Sequence, residues 1–322
     1  MRKFFPDYLL VLLKGIAMGA ADVVPGVSGG TIAFISGIYQ ELIDSINNVN
    51  FSAFKNLRKN GLKATWIALN GNFLLSLLTG IAISVLSLSK LITHLLATQP
   101  ILVWSFFFGL VLASILLIWK EITKWKASTV VALIIGIIIS YIITVAKPVE
   151  SPDSLPYLFL SGFIAIIAMI LPGVSGAFIL LLMGSYQTVI GTINQFREAL
   201  LNLNFELLGE AILKLMTFAF GAILGLKLFS KVLHWMFLHH KNRTLAVLIG
   251  FMIGSLNKIW PWKKVLETRK NSHGKIVPFL EKSILPNNFD GDPKVLSAIL
   301  LILIGFLLIY GLEKIANKTN LN

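Results

Sequence analysis

One phrase occurs twice in this chain, and each copy breaks an apolar stretch that a single straight helix could not occupy. Pro25-Gly26-Val27-Ser28-Gly29-Gly30-Thr31 is followed by Gly37, Tyr39 and Gln40. Shifted by 147 residues, Pro172-Gly173-Val174-Ser175-Gly176 is followed by Gly184, Tyr186 and Gln187. Residues 154–196 carry no Asp, Glu, Lys or Arg, and as one helix they would reach ~65 Å, about twice the hydrocarbon thickness of a bilayer. Proline removes a backbone donor and clashes with the preceding turn, and glycine admits angles no helix uses. The chain therefore bends at each copy. In membrane proteins a duplicated broken segment points to a substrate site.

The membrane assignment follows from charge. Of 322 residues, 56% are hydrophobic and only 13% charged, about half the charge of a soluble domain. Residues 64–89, 91–119, 127–146 and 295–312 are free of Asp, Glu, Lys and Arg, and each approaches or exceeds the ~20 residues of a crossing. The net charge of +13 sits mostly between these runs, where it orients the chain and attracts anionic headgroups. It gives no soluble basic module for nucleic acid. The absence of cysteine excludes disulfides, thiolate catalysis and Cys-ligated metal. Met1-Arg2-Lys3-Phe4-Phe5 looks like the start of a signal peptide, but Lys14 interrupts the apolar run. We read it as retained structure.

The duplication extends past the phrase. At a shift of 141, Ser89-Lys90 matches Ser230-Lys231, Gly80 matches Gly221, Gly109 matches Gly250 and Trp119 matches Trp260. At a shift of 169, Gly136 and Tyr141 match Gly305 and Tyr310. Two halves, 1–146 and 147–322, are expected, each one broken segment plus three apolar spans. With each broken segment re-entrant, positive charge falls on one side at almost every short loop: Arg2-Lys3, Lys55 to Lys63, Lys120 to Lys126, His239 to Arg243, and Lys314 with Lys318. The exception is 261–295, with seven Lys/Arg against four Asp/Glu. Three crossings per half invert the second relative to the first. The expected fold is thus an all-α integral membrane protein of two inverted repeats, each a re-entrant broken helical hairpin plus three transmembrane helices. Two full crossings per broken segment is the alternative geometry.

Short side chains around each break can turn successive N–H groups toward one point, and the helix that follows adds its positive end. The candidate phosphate-binding residues are Gly26, Ser28, Gly29, Gly30 and Thr31 in the first copy and Gly173, Ser175, Gly176 and Ala177 in the second. The plainer reading is that these small residues only allow close helix packing. Asp22, three residues before Pro25, is an intramembrane carboxylate whose counterpart is Met169, and Glu41 corresponds to Thr188. Both are candidates for coupling to an ion. For Asp22 the structural alternative is an ion pair with Lys14, two turns away. Lys90 and Lys231, with Lys227 one turn before the latter, could receive an anionic headgroup, or could simply snorkel. Trp119 and Trp260-Pro261-Trp262 suit an aromatic belt. His239-His240 lacks the spacing of a zinc site, and no P-loop, dinucleotide fingerprint or Ser/His/Asp set is present. No metal and no cofactor are expected beyond a coupling H+ or Na+.

The run Met18-Gly-Ala-Ala-Asp-Val-Val-Pro-Gly-Val-Ser-Gly-Gly-Thr31, together with Pro172 to Gly176 and the Gly-Ser…Trp-Pro-Trp262 run, resembles the PopT polyprenyl-phosphate transporter family over essentially the whole chain. The resemblance implies a flippase of a prokaryotic cytoplasmic membrane that returns undecaprenyl phosphate to the inner leaflet, recycling the lipid carrier of peptidoglycan. It implies a transporter rather than an enzyme, a lipid partner and no nucleic acid, and both termini are expected in the cytoplasm. The sequence leaves the oligomeric state open. Membrane undecaprenyl-diphosphate phosphatases are the main rival, with a similar Pro-Gly-x-Ser-Arg-Ser loop. Gly29 and Gly176 stand where that arginine would be, which removes the positive group phosphoryl transfer needs. A transporter of another small anion is the second rival.

Overall fold

The computed structural model describes residues 5–24, 27–149, 151–152, 154–270 and 276–319. The chain runs through α1 (Phe5–Val23), α2 (Gly29–Ile35), α3 (Tyr39–Asn48), α4 (Phe51–Ala68), α5 (Gly71–Ser87), α6 (Ser89–Thr98), α7 (Pro100–Trp119) and α8 (Ala127–Val145). It continues through α9 (Leu155–Ile170), α10 (Gly176–Leu182), α11 (Tyr186–Leu201), α12 (Phe205–Ser255), the strands β1 (Lys263–Lys270) and β2 (Ile276–Ser283), and α13 (Val295–Thr319). Among the described residues α7, α8 and α12 are each long and apolar enough to cross a bilayer. The protein is a mostly helical membrane protein.

The breaks fall where the sequence places them. α1 stops just before Pro25 and α9 just before Pro172, and each is followed by a seven-residue helix capped by a serine, Ser28 or Ser175. The axes of α10 and α11 then differ by 107°, with Gly184 in the left-handed region at φ +69°. α12 is two helices, because His240 leaves helical geometry at φ −139°, ψ 41°. Gln99, its counterpart at the shift of 141, has φ −137°, ψ 51° and separates α6 from α7.

Among the described residues four pairs of long helices touch backbone to backbone, each with a glycine on both sides. A Cβ at Gly15 would enter Leu77 O, and one at Gly80 would enter Leu12 O. The relation recurs between Gly162 (Phe218 O) and Gly221 (Phe159 O), between Gly109 (Ile302 O) and Gly305 (Phe106 O), and between Gly136 (Val247 O) and Gly250 (Leu133 O). Without lipid-free apolar surface to gain, membrane helices associate through such close contact of small residues. The partners correspond across the duplication. α1 lies on α5 as α9 lies on the first part of α12, and α7 lies on α13 as the second part of α12 lies on α8. The last apolar helix of each sequence half therefore packs on the other half. Contacts that ascend together (Gly15 at Leu77 with Gly19 at Ile81; Gly221 at Phe159 with Gly225 at Phe163) make these pairs parallel.

The loops mark two ends. At one, Asn242 Oδ1 accepts from Thr123 N at 3.2 Å. At the other, Lys294 Nζ donates to Gln99 Oε1 at 2.6 Å.

The all-α expectation requires one correction. The charged segment after Trp262 contains an antiparallel hairpin, β1 with β2, whose register shifts around Glu267. Trp260 Nε1 donates to Ile284 O and Trp262 Nε1 to Pro293 O, both at 2.8 Å, and Trp262 is buried. These two tryptophans turn under the hairpin and its return strap, away from the lipid position that an aromatic belt requires.

Candidate functional site

The two breaks meet and interlock. Ser28 Oγ accepts from Gly30 N at 3.1 Å, capping α2, and donates to Met169 O at the end of α9 at 2.9 Å. Thr31 Oγ1 accepts from Gly173 N at 2.8 Å. Gly30 packs so closely on Ile170 O that no side chain fits there. Gly173 adopts φ +86°, and a Cβ on it would lie 2.8 Å from both Phe251 O and Ser255 Oγ. Buried backbone that leaves helical geometry is tolerated here because each break supplies partners to the other.

The head of α2 is already taken by a carboxyl group. Asp22 Oδ1, from the last turn of α1, accepts from Gly29 N at 2.6 Å. A Cβ on Gly29 would lie 2.6–3.0 Å from that carboxylate, so a side chain there would push Asp22 off the Gly29 N–H. Lys14 Nζ donates to Ser36 O at 2.7 Å, and the alternative of a Lys14–Asp22 pair is not adopted. In the second break, Met169 takes the place of Asp22 and lies 3.2 Å from where a Cβ on Gly176 would be. Ser175 Oγ accepts from Phe178 N at 3.5 Å. Ser28 and Thr31 are each 1% exposed and Ser175 is 6% exposed, whereas Ala177 faces outward.

The remaining candidates sit apart from the breaks. Glu41 Oε1 accepts from Asn70 Nδ2 at 2.9 Å at the foot of α5. Lys227 Nζ donates to Ile46 O and Asn47 O, at 3.1 and 2.6 Å, capping α3. One turn along α12, Lys231 is exposed, and His234 Nδ1 lies 2.6 Å from Asp44 Oδ1. Gly26 and the side chain of Lys90 lie outside the described residues. Among the described residues no three His, Cys, Asp or Glu side chains converge in a way that could hold a metal.

Sequence reasoning passed over one charged cluster. Glu281 Oε2, on β2, lies 3.6 Å from Lys258 Nζ and 3.7 Å from Lys263 Nζ. Lys263 Nζ stands 3.5 Å from the centre of the Trp104 ring, and Lys258 Nζ 4.5 Å from that of Phe178. Burial pushes the Lys263 amine down to about 7, with Glu281 opposing the shift and Lys258 adding to it. The available signal was the lysine directly after Trp-Pro-Trp262, which read as loop charge.

Comparison with known proteins places the chain in a family. The family model VCA0040-like, described as undecaprenyl phosphate translocase-like, matches residues 18–277. A polyprenyl-phosphate transporter of Vibrio cholerae serotype O1 is 45% identical over 316 residues, covering 97% of this chain and 98% of that protein. A polyprenyl-phosphate transporter of Staphylococcus aureus is 34% identical over 263 residues, covering 78% of this chain and 85% of that protein. No solved structure matches. The model spans both breaks and the start of the hairpin, and the chain belongs to the undecaprenyl phosphate translocase-like family.

Proposed function

We propose that this chain carries polyprenyl monophosphate, undecaprenyl phosphate foremost, between the leaflets of a prokaryotic cytoplasmic membrane and performs no bond chemistry on it. Family membership and the names of both relatives support the substrate class. The observation that carries the reading is the carboxylate at the break: Asp22 occupies the Gly29 N–H at the head of α2, the place a phosphate oxygen would take. Ser28 and Thr31 beside it, and Gly173, Ser175, Gly176 and Ala177 across from it, would complete the headgroup site once the breaks part.

Two anions cannot share one such site. Protonation of Asp22 removes its charge and frees the Gly29 donor, so phosphate binding and proton uptake become linked. A proton moving down its gradient would then drive the lipid inward. A sodium ion held by the same carboxylate is the other form of coupling. Glu41, tied to Asn70, would act in the foot of the first half rather than at the headgroup.

The architecture proposed with this function is two inverted repeats, 1–146 and 147–322, each a re-entrant break plus three crossings, with both termini cytoplasmic. The parallel packing of α1 on α5 and of α9 on α12 supports it, because the chain must return to its starting end after each break. α2 and α10 have seven residues each, ~10 Å of helix and far short of a crossing.

The test is leaflet exchange of a labelled polyprenyl phosphate in vesicles under imposed proton or sodium gradients. Asp22→Asn is expected to remove the gradient-driven excess while retaining exchange without a gradient. Equal loss of both would remove Asp22 from coupling. Steady phosphate release from lipid diphosphate by the purified protein would overturn the transporter reading.

A further inference from the structure

We infer that Lys258 and Lys263 form a second, built-in site for a phosphate-type oxyanion, with Glu281 holding it in the absence of the anion. The inference rests on the lipid-phosphate reading for its choice of ligand, though not for the existence of the site.

Two lysine amines share one carboxylate oxygen here, so one of them lacks a counter-charge whenever both are protonated. Lys263 Nζ is buried and among the described residues has no hydrogen-bond acceptor; it stands against the Trp104 ring and 3.7 Å from Glu281 Oε2. A buried ammonium left in this state is costly, and an apolar side chain of the same length would be more stable there. A tetrahedral oxyanion with several acceptor oxygens supplies what is missing: an acceptor for Lys263 and charge for both lysines.

The location fits a headgroup in transit. Lys258 reaches over Phe178, three residues beyond the serine that caps α10. The basic pair thus adjoins the second break, at the end of the molecule where Gln99 meets Lys294. Glu281 comes from the hairpin, which is pinned nearby by Ser283 Oγ donating to Asn257 O at 2.9 Å. An arriving phosphate would displace Glu281 from the lysines as it would displace Asp22 from α2. A neutral prenyl alcohol offers no such exchange.

The experiment uses the full-length protein in phosphatidylcholine nanodiscs, titrated with farnesyl phosphate, farnesol and inorganic phosphate. Glu281→Gln, which removes the internal competitor, is expected to tighten farnesyl phosphate about threefold or more, and Lys258→Met and Lys263→Met to weaken it about tenfold. Farnesol should be indifferent to all three substitutions. Parallel shifts for inorganic phosphate would support the site as one for the bare oxyanion, and shifts confined to farnesyl phosphate as one for the lipid headgroup. If the unmodified protein binds only inorganic phosphate and the variants alter that affinity, the basic pair stands and the lipid reading fails. Unchanged affinities in both folded lysine variants overturn the site, as does no binding of either phosphate. Should a lysine variant not fold, unchanged or weaker binding by Glu281→Gln overturns it alone.

Discussion

At the scale of single residues, one buried hydrogen bond and one buried amine set what can be changed. Thr31 Oγ1 is the partner of Gly173 N across the breaks. Thr31→Val keeps the shape but strands that N–H, and is expected to cost about 1–3 kcal/mol. Thr31→Ser should restore most of it, as read by thermal melting in detergent. Equal melting of Thr31→Val and the parent would remove the crossed-break contact. Lys263 makes a pH prediction of definite sign. Its amine is held near 7 in the folded protein and at the ordinary lysine value of 10.5 when unfolded. Between those values the unfolded state binds more protons, so this residue's contribution favours folding increasingly as pH rises from about 7 to about 10. Comparing melting curves of the parent with Lys263→Met over that interval isolates it. The variant should be the more heat-stable of the two at pH 7, with the difference narrowing toward pH 10.

At the scale of elements, the glycine pairs decide which helices lie together. Gly136→Leu would force α8 off the Val247–Gly250 backbone, at an expected cost of about 3 kcal/mol or more. Gly191, inside α11, has no atom near its missing Cβ. Gly191→Ala is therefore expected to be neutral or to gain about 0.5–1 kcal/mol. The yield of monodisperse protein by fluorescence-detected size exclusion would separate the two, and equal profiles would deny the close approach. Most of these glycines were legible in sequence as recurring positions, because Gly80 with Gly221, Gly109 with Gly250 and Gly136 with Gly305 recur at fixed shifts. Which glycine touches which was not, since the shift relates copies rather than partners. The hairpin was illegible for a local reason. β1 reads Lys-Lys-Val-Leu-Glu-Thr-Arg-Lys and β2 contains Pro278, so neither shows clean alternation and proline counts against a strand. With the hairpin unseen, Trp260 and Trp262 had nothing to turn under. The partner of Asp22 was illegible for another reason: helical spacing offered Lys14 as the alternative, but the break at Pro25 brings Gly29 N to its carboxylate.

At the scale of the whole molecule, the two ends defined by loop contacts carry the argument for crossing number. Thr123 and Asn242 share one end, and Gln99 and Lys294 share the other. Between Gln99 and Thr123 runs α7, and between Asn242 and Lys294 runs the second part of α12. Each joins one end to the other with a single helix. If these ends are the two faces of the membrane, α7 and the second part of α12 cross in opposite directions although they occupy corresponding places in the duplication. That is the property an inverted repeat requires. The chain contains no cysteine, so single cysteines can be placed without background. Thr123→Cys and Lys241→Cys are expected to react with a membrane-impermeant maleimide only after the inner face is opened, and Gln99→Cys and Lys294→Cys in intact cells. The hairpin should follow Lys294, placing the basic 261–295 segment outside against the positive-inside tendency. The buried Lys258–Lys263–Glu281 cluster gives that placement a physical basis, since both lysines are engaged with Glu281 and the interior rather than with headgroups. Labelling of all four positions from one face would remove the inverted arrangement, and with it the opposed entry of the two breaks from the two faces.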